Sequence, residues 1–555
     1  MQGSVQLGEN AIAPIRARDT AEFTRRRRIV SQTRTRDWQL IAVGVLSFIV
    51  GVVVLLWSYA HNYVLAYNDA QSHLKIARRV IDNRTPGFVQ LGTVWLPVPH
   101  IMMLPFIWIN VLWHTGLAGS FVGLFCLVVT AVALFATMKL LTGRALIGWA
   151  AVIVLLTNPS WMYIQTTALT EPVLLMSMTA ASYFLIRWVK DGAERATTLF
   201  VAGSLAALAV GSRYDGWVFA IGCAVLVAIT VAIRTHNAQR MEGYTLAYGV
   251  VPLYAMGLWL LYNWIYFGDP LSFQRSAFSA AFAQIDFEAK GLLPTKGNLI
   301  MSLSVYNWDL LDVNGWVMTV LTVVGILVYL AVTRFKYDSI VTYSFLSTYV
   351  FNVAALYFAQ SIVYVEQVEP IQVFNVRYAL PLLPGTAVFV AYLFHRISLR
   401  LGNLIGITLF ALVLVLQGVQ WVPGWPETSV KVLQEGLGNQ RGSLSVRQVA
   451  NYLNKNYDGG GLLVDDSKST VLTIANIDIH EYIATFSGKL WFQCLIDPTP
   501  YARYVIYNKP QGDTILSQNN DIITERVKSN PNFFENYTPV FNTDFITVYK
   551  RTSDI

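Results

Sequence analysis

Three observations predict an α-helical polytopic membrane protein with a C-terminal α/β domain. The 555-residue chain is 54% hydrophobic and only 13% charged. Apolar runs of about 15 to 25 residues, long enough for a hydrocarbon core of roughly 30 Å, recur from residue 38 to about residue 421. Beyond Trp421 the long runs stop and Asn, Asp, Gly and Lys become common.

The elements follow in order. Residues 1–37 form a basic tail with four arginines at Arg25 to Arg28. The run after it is too long for a signal-peptide core and is read as an uncleaved first span. Spans are expected near 39–60, 118–138, 145–165, 172–188, 198–212, 216–233, 244–266, 314–333, 339–360, 379–395 and 401–421, about eleven within a membrane domain of 38–421. Lys139 with Arg144, Arg187 with Lys190 and Arg195, Arg234 with Arg240, Arg334 with Lys336, and Arg396 with Arg400 then fall on the side of the arginine tail. The positive-inside bias puts that side in the cytoplasm, and the first loop, 61–117, outside.

Within this loop, residues 98–117 are apolar but carry Pro97, Pro99 and Pro105 near their start, with His100 and His114 near the two ends. A broken helix lying in the outer interface is expected there. The net charge of +7 sits at the ends of apolar runs, so it reads as membrane topology and contact with lipids, with no nucleic-acid partner. Cys126 and Cys223 lie in apolar runs, which leaves Cys494 alone in the tail without a disulfide partner.

Residues 422–555 are expected as a soluble extracytoplasmic α/β domain. GLLVDDS, ARYVIYN and DFITVYKR have the composition of short strands, and SVRQVANYLNKNY that of a helix. Asp465 and Asp466 close the first strand and are read as capping a turn.

The chemistry is expected at the outer surface. YNDAQSH, residues 67–73, opens an amphipathic helix in which Ala70, Leu74, Ala77 and Ile81 share one face while Lys75, Arg78 and Arg79 lie mostly elsewhere. Asn68 or Asp69 could serve as its N-cap. Asp69 and His73 are four apart and share a face, where a base or a ligand could be built. Other expected span ends add Glu171 in TTALTEP, Arg213 and Asp215 in GSRYDGW, and Arg377 with Tyr378 in NVRYALPLLPG, all on the same side. The runs flanking GSRYDGW are short, so Arg213 and Asp215 are expected below the surface, as a phosphate holder or as a structural pair.

A sugar delivered on a lipid phosphate leaves behind an anion that needs positive charge and no general acid. One carboxylate then suffices to activate the acceptor hydroxyl. Asp69 fits the base, while Lys75, Arg78, Arg213 and Arg377 are candidates for the phosphate.

These residues resemble those of the GT-C glycosyltransferases, which include the protein O-mannosyltransferases and the lipid A aminoarabinose transferase. The shared features are an acidic motif in the first outer loop, interfacial helices after it, an acid opening a later span, and a polar domain after the last span. The resemblance implies a GT-C-like fold, a polyprenyl-phosphate sugar donor, an extracytoplasmic glycan, lipid or protein acceptor, and inversion at the anomeric carbon. Asp69 matches the catalytic acid, and Glu171 and Arg377 match further motif positions. Together with the placement and charge of the outer groups, this gives His73, Lys75, Arg78, Glu171, Arg213, Arg377 and Tyr378 as the residues expected to bind substrate. Ala70 stands where the mannosyltransferases have a second acid, which speaks against protein mannosylation. The aminoarabinose transferase is associated with a divalent metal, and Asp69, His73, Glu171 or His100 could supply ligands, but their spacing does not fix a site.

A lipid or glycolipid flippase without sugar transfer is the main alternative. Ion-coupled carriers need ionisable groups near mid-membrane, and the centres of these spans contain essentially none. No GxxxxGK[ST] loop suggests an ATP-driven pump. A cytoplasmic nucleotide-sugar synthase would need a large soluble domain inside. A glycan receptor would leave the Asp69 helix without a role. The expectation is an integral protein of a prokaryotic plasma membrane.

Overall fold

A computed structural model describes residues 38–276, 279–368, 373–442, 444–466, 471–509 and 521–552. The basic tail 1–37 lies outside the described residues. Contacts divide the chain into Met1–Ala42 and Val43–Ile555. The described part of the first unit, residues 38–42, opens the helix Trp38–Ala60, whose remainder belongs to the second.

Among the described residues, nine helices are long and apolar enough to cross a membrane: Trp38–Ala60, Leu117–Thr142, Glu171–Lys190, Asp215–Thr235, Ala238–Phe267, Trp316–Thr333, Ile340–Tyr357, Val376–Leu401 and Asn403–Trp421. The chain is a polytopic helical membrane protein. Two of the expected eleven runs fall short. Residues 145–165 break into Ala145–Leu156 and Pro159–Ile164, because Asn158 caps the second helix with its side chain and Pro159 begins it. The run at 198–212 is the helix Ala196–Val210, of 15 residues.

The basic clusters meet at one end of the helices. Arg144 donates to Asn403, Lys190 pairs with Asp338, and Arg234 pairs with Glu194. The loop after Trp38–Ala60 forms the helix Asn68–Ile81, whose described residues from Ala70 to Val80 are nearly all buried. Residues 98–117 are not continuous: Val98–Ile107 and Asn110–Thr115 are separated at Trp108 and Ile109.

Close backbone approach fixes the segment that leads into Glu171. A Cβ at Gly123 would lie 2.0 Å from the carbonyl oxygen of Gln165, and one at Gly119 would lie 2.2 Å from the Ala168 Cβ. The helix Leu117–Thr142 can therefore seat against residues 165–168 only through glycine, the small-residue packing common between membrane helices.

After Trp421 come the helices Lys431–Gly442 and Leu444–Asn456 and then a mixed five-stranded sheet. Its strands are β1 (Leu462–Leu463), β2 (Tyr482–Ile483), β3 (Tyr504–Asn508), β4 (Tyr537–Asn542) and β5 (Ile546–Arg551), in the order β2-β1-β3-β5-β4. β1 runs parallel to β2 and β3, while β5 is antiparallel to β3 and β4. Leu463, Ile483, Trp491, Ala502, Val505 and Ile523 form its apolar core. The three cysteines are buried free thiols.

Candidate active site

Helix starts build the site. Asp69 lies in the first turn of Asn68–Ile81, Glu171 opens Glu171–Lys190, and Asp215 opens Asp215–Thr235, so each carboxylate sits where a helix dipole favours negative charge. The N-cap position falls on Tyr67, whose side chain makes no capping hydrogen bond, and not on Asn68 or Asp69, which already lie in the first turn. Asp69 reaches Arg377, whose Nη2 donates to Asp69 Oδ2. Arg377 comes from the 3-10 turn Val376–Leu382, which enters the helix Leu383–Leu401.

Two guanidiniums share Glu171. Arg213 Nη1 donates to Glu171 Oε1 at 2.8 Å and its Nε to Asp215 Oδ2 at 3.1 Å. Arg377 Nε lies 3.1 Å from Glu171 Oε1 at an angle too oblique for a hydrogen bond, so the contact is an ion pair without one. The Arg213 guanidinium lies 4.9 Å from the Tyr378 ring, and that of Arg377 lies 5.0 Å from the Tyr67 ring. Glu171 is 1% exposed, while the Asp69 side chain is 40% exposed. A buried, neutralised acid and an accessible one thus sit against the same arginine. The accessible one is free to meet a substrate.

The structure thus brings together Asp69, Glu171, Arg213, Arg377 and Tyr378, as well as the expected Arg213–Asp215 pair. His73 is buried nearby with Nδ1 2.9 Å from His100 Nε2. Burial, and then the Arg377 and Arg213 charges, lower its pKa to about 3. A neutral pair satisfies this contact, one ring donating and the other accepting.

Lys75 and Arg78 do not join the cluster. Lys75 donates to the carbonyl and carboxylate of Asp466 at 2.8 and 3.1 Å, and Arg79 approaches the same carboxylate at 3.7 Å. Arg78 donates to Asp82, Ile107 and Asn110. Their charges dock the loop helix on the tail and on residues 107–110. Asp466 therefore does more than cap a turn: burial pushes its carboxyl up, but the Lys75 and Arg79 charges outweigh this and hold it below the usual carboxylate range. Asp465 accepts from the Ile522 N–H.

Sequence reasoning missed Tyr67, Glu435 and Asp309. Tyr67 begins the YNDAQSH motif but has no role in that reading. Glu435 lies on the tail helix Lys431–Gly442, yet its carboxyl is buried 4.0 Å from Arg377 Nη1. Asp309, on Leu299–Asn314, is fully buried. No local pattern marked either acid.

As placed, the residues do not fit a metal ion. Asp69 and Glu171 face Arg377, His73 and His100 face each other, and no group of three His, Cys, Asp or Glu among the described residues is placed to hold one.

No protein-family model matches the chain, and no curated protein matches it. Solved structures do. ArnT from Cupriavidus metallidurans bound to undecaprenyl phosphate is 12% identical, with 90% of this chain and 97% of that chain covered at a TM-score of 0.51. Two structures of the Archaeoglobus fulgidus oligosaccharyltransferase follow at a TM-score of 0.46. The complex with Zn and sulfate is 11% identical over 84% of this chain and 68% of that one. The complex with an inhibitory peptide and a dolichol-phosphate is 10% identical over 86% and 70%. The chain shares the fold of ArnT.

Proposed function

We propose that the protein is an inverting glycosyltransferase that moves a sugar from a polyprenyl-phosphate donor to an acceptor outside the cytoplasm. The observation that carries this reading is the Asp69 carboxylate, accessible on one side and held by Arg377 on the other. ArnT, with the same fold, was solved bound to undecaprenyl phosphate, which supports a lipid-phosphate donor.

In the proposed step Asp69 takes the proton of the acceptor hydroxyl as its oxygen bonds to the anomeric carbon. The sugar–oxygen bond to phosphate breaks and its electron pair leaves on the lipid phosphate. Arg377 and Arg213 meet that charge, and Tyr378 packs against Arg213 beside it. Attack opposite the leaving group in one displacement inverts the anomeric carbon. Lys75 and Arg78 act here by fixing the helix that carries Asp69. Asp69, Glu171, Arg213 and Arg377 lie at the end of the helices opposite the basic clusters, which supports a site facing away from the cytoplasm, with the tail after Trp421 on the same side.

The test is transfer of labelled sugar from a panel of polyprenyl-phosphate donors by the purified protein in lipid. Transfer with an inverted product is expected from at least one donor. Folded protein that transfers from none, yet moves a labelled lipid across the bilayer, would replace this reading with a flippase.

A further inference from the structure

Glu435 raises a question of proton count. Its Oε1 accepts from the Asn375 N–H at 2.9 Å. Its Oε2 lies 2.9 Å from the Tyr67 hydroxyl, and that same hydroxyl lies 2.8 Å from the Val432 carbonyl oxygen. Tyr67 has one proton and faces two acceptors. With Glu435 ionised, the single Tyr67 proton must be split between the two oxygens in a weaker three-centre bond or leave one pair as an unbridged contact between buried lone pairs. With the proton on Oε2 every contact is satisfied: Glu435 donates to Tyr67, Tyr67 donates to Val432, and Oε1 remains the carbonyl oxygen for Asn375.

The surroundings push in the same direction. Glu435 is 6% exposed, and burial pushes its carboxyl up against the opposing pull of Arg377, Asn375 and Tyr67. The charged and titratable groups facing it are Arg377 and Asp69, Tyr67 and Tyr163, and Asp309 on Leu299–Asn314. Gly436 lets the tail helix come this close: a Cβ there would lie 2.8 Å from the Tyr163 hydroxyl and 3.1 Å from the Tyr67 ring. Arg213 and Arg377 already face three carboxylates, those of Asp69, Glu171 and Asp215. Two guanidiniums against three carboxylates leave a formal balance of −1, and a fourth carboxylate would make it −2 and raise the cost of admitting an anionic substrate.

We propose that Glu435 is held as a neutral acid, so that the tail positions Arg377 without consuming the charge that receives the donor phosphate. The role rests on the reading of the donor as a lipid phosphate; the protonation state does not. As pH rises through the Glu435 pKa, the acid becomes a carboxylate beside Arg377 and donor affinity falls.

Two readouts on the full chain in lipid nanodiscs test this. The first is an infrared band of a buried, deuterium-sensitive carboxylic acid, present in wild type at neutral pH and lost in Glu435→Gln. The second is affinity for a methyl polyprenyl phosphodiester, whose single charge does not titrate, from about pH 5 to 9. Wild type is expected to weaken by about tenfold or more toward the alkaline end. Glu435→Gln, whose amide can repeat the donation to Tyr67, is expected to bind without that dependence, and Glu435→Ala to bind poorly throughout. Absence of the band, or the same pH dependence in wild type and Glu435→Gln, overturns the proposal. A band without diester binding overturns the donor role and the lipid-phosphate reading together, while leaving the neutral acid. Should Glu435→Gln not fold, Tyr67→Phe removes the acceptor of the proton: the band must shift, and an unshifted band overturns the assignment.

Discussion

Replacing Arg377 by lysine keeps the charge and removes the geometry. The guanidinium reaches Asp69 through Nη2, lies 3.1 Å from Glu171 through Nε, and donates to Asn375 Oδ1 at 3.2 Å. A lysine ammonium is a single point and cannot serve carboxylates in these separate directions. Losing at least one charge-assisted hydrogen bond costs about 1.5–3 kcal/mol, or roughly 10- to 150-fold in kcat/KM if the bond persists in the transition state. Arg377→Met goes further, leaving Glu171, 1% exposed, to Arg213 alone. Because Arg213 still holds Glu171, the cost falls below the roughly 3–5 kcal/mol of a buried charge left without any partner. The assay is labelled-sugar transfer alongside thermal unfolding in the same detergent, so that lost fold is separated from lost chemistry. Arg377→Met that unfolds like wild type and transfers within about threefold of it would refute the role given to this arginine.

Three further outcomes follow from the same contacts. Asp466→Ala should destabilise by about 3–5 kcal/mol because it strands Lys75 in a buried site, whereas Lys75→Met with Asp466→Leu should recover much of that loss; additive losses in thermal unfolding would contradict the pairing. His73, 3% exposed with a folded pKa of about 3, stays neutral in the fold while the unfolded chain takes up a proton below about pH 6.5. Its contribution is therefore present above that pH and is lost as pH falls, by about 2 kcal/mol at pH 5, so His73→Gln should flatten the acid side of the stability profile; an unchanged slope counts against a buried neutral imidazole. Gly436→Ala should push the tail helix off Tyr163 and Tyr67, costing about 1–3 kcal/mol and lowering transfer, and normal unfolding with normal transfer would show that the approach tolerates a methyl group.

How much was legible in the sequence differs by residue, for a physical reason. Asp69, Glu171, Arg213, Arg377 and Tyr378 each sit near a helix start, and apolar runs mark helix ends plainly, so their convergence followed from which side each was assigned to. The break at residues 157–159 also had its signal, an Asn cap followed by Pro, which the length of the surrounding apolar run concealed. Partners were another matter. Tyr67 and Glu435 are 368 residues apart and Lys75 and Asp466 are 391 apart, and periodicity describes a helix face without naming what covers it. Lys75 and Arg78 looked like phosphate ligands because nothing local said that tail and loop residues would take their charge. The helix Leu299–Asn314 was not anticipated, since Asp309 and Asp312 lower its hydropathy although Asp309 is fully buried.

Asp69→Asn carries the central claim. The amide keeps the shape of the side chain but cannot accept the acceptor's proton as a base. At equal folded amount and with a donor that wild type uses, labelled-sugar transfer is expected to fall at least about a hundredfold, within the usual contribution of a general base. Transfer that proceeds in Asp69→Asn at the wild-type rate would contradict the account, leaving the enzyme without its proposed base.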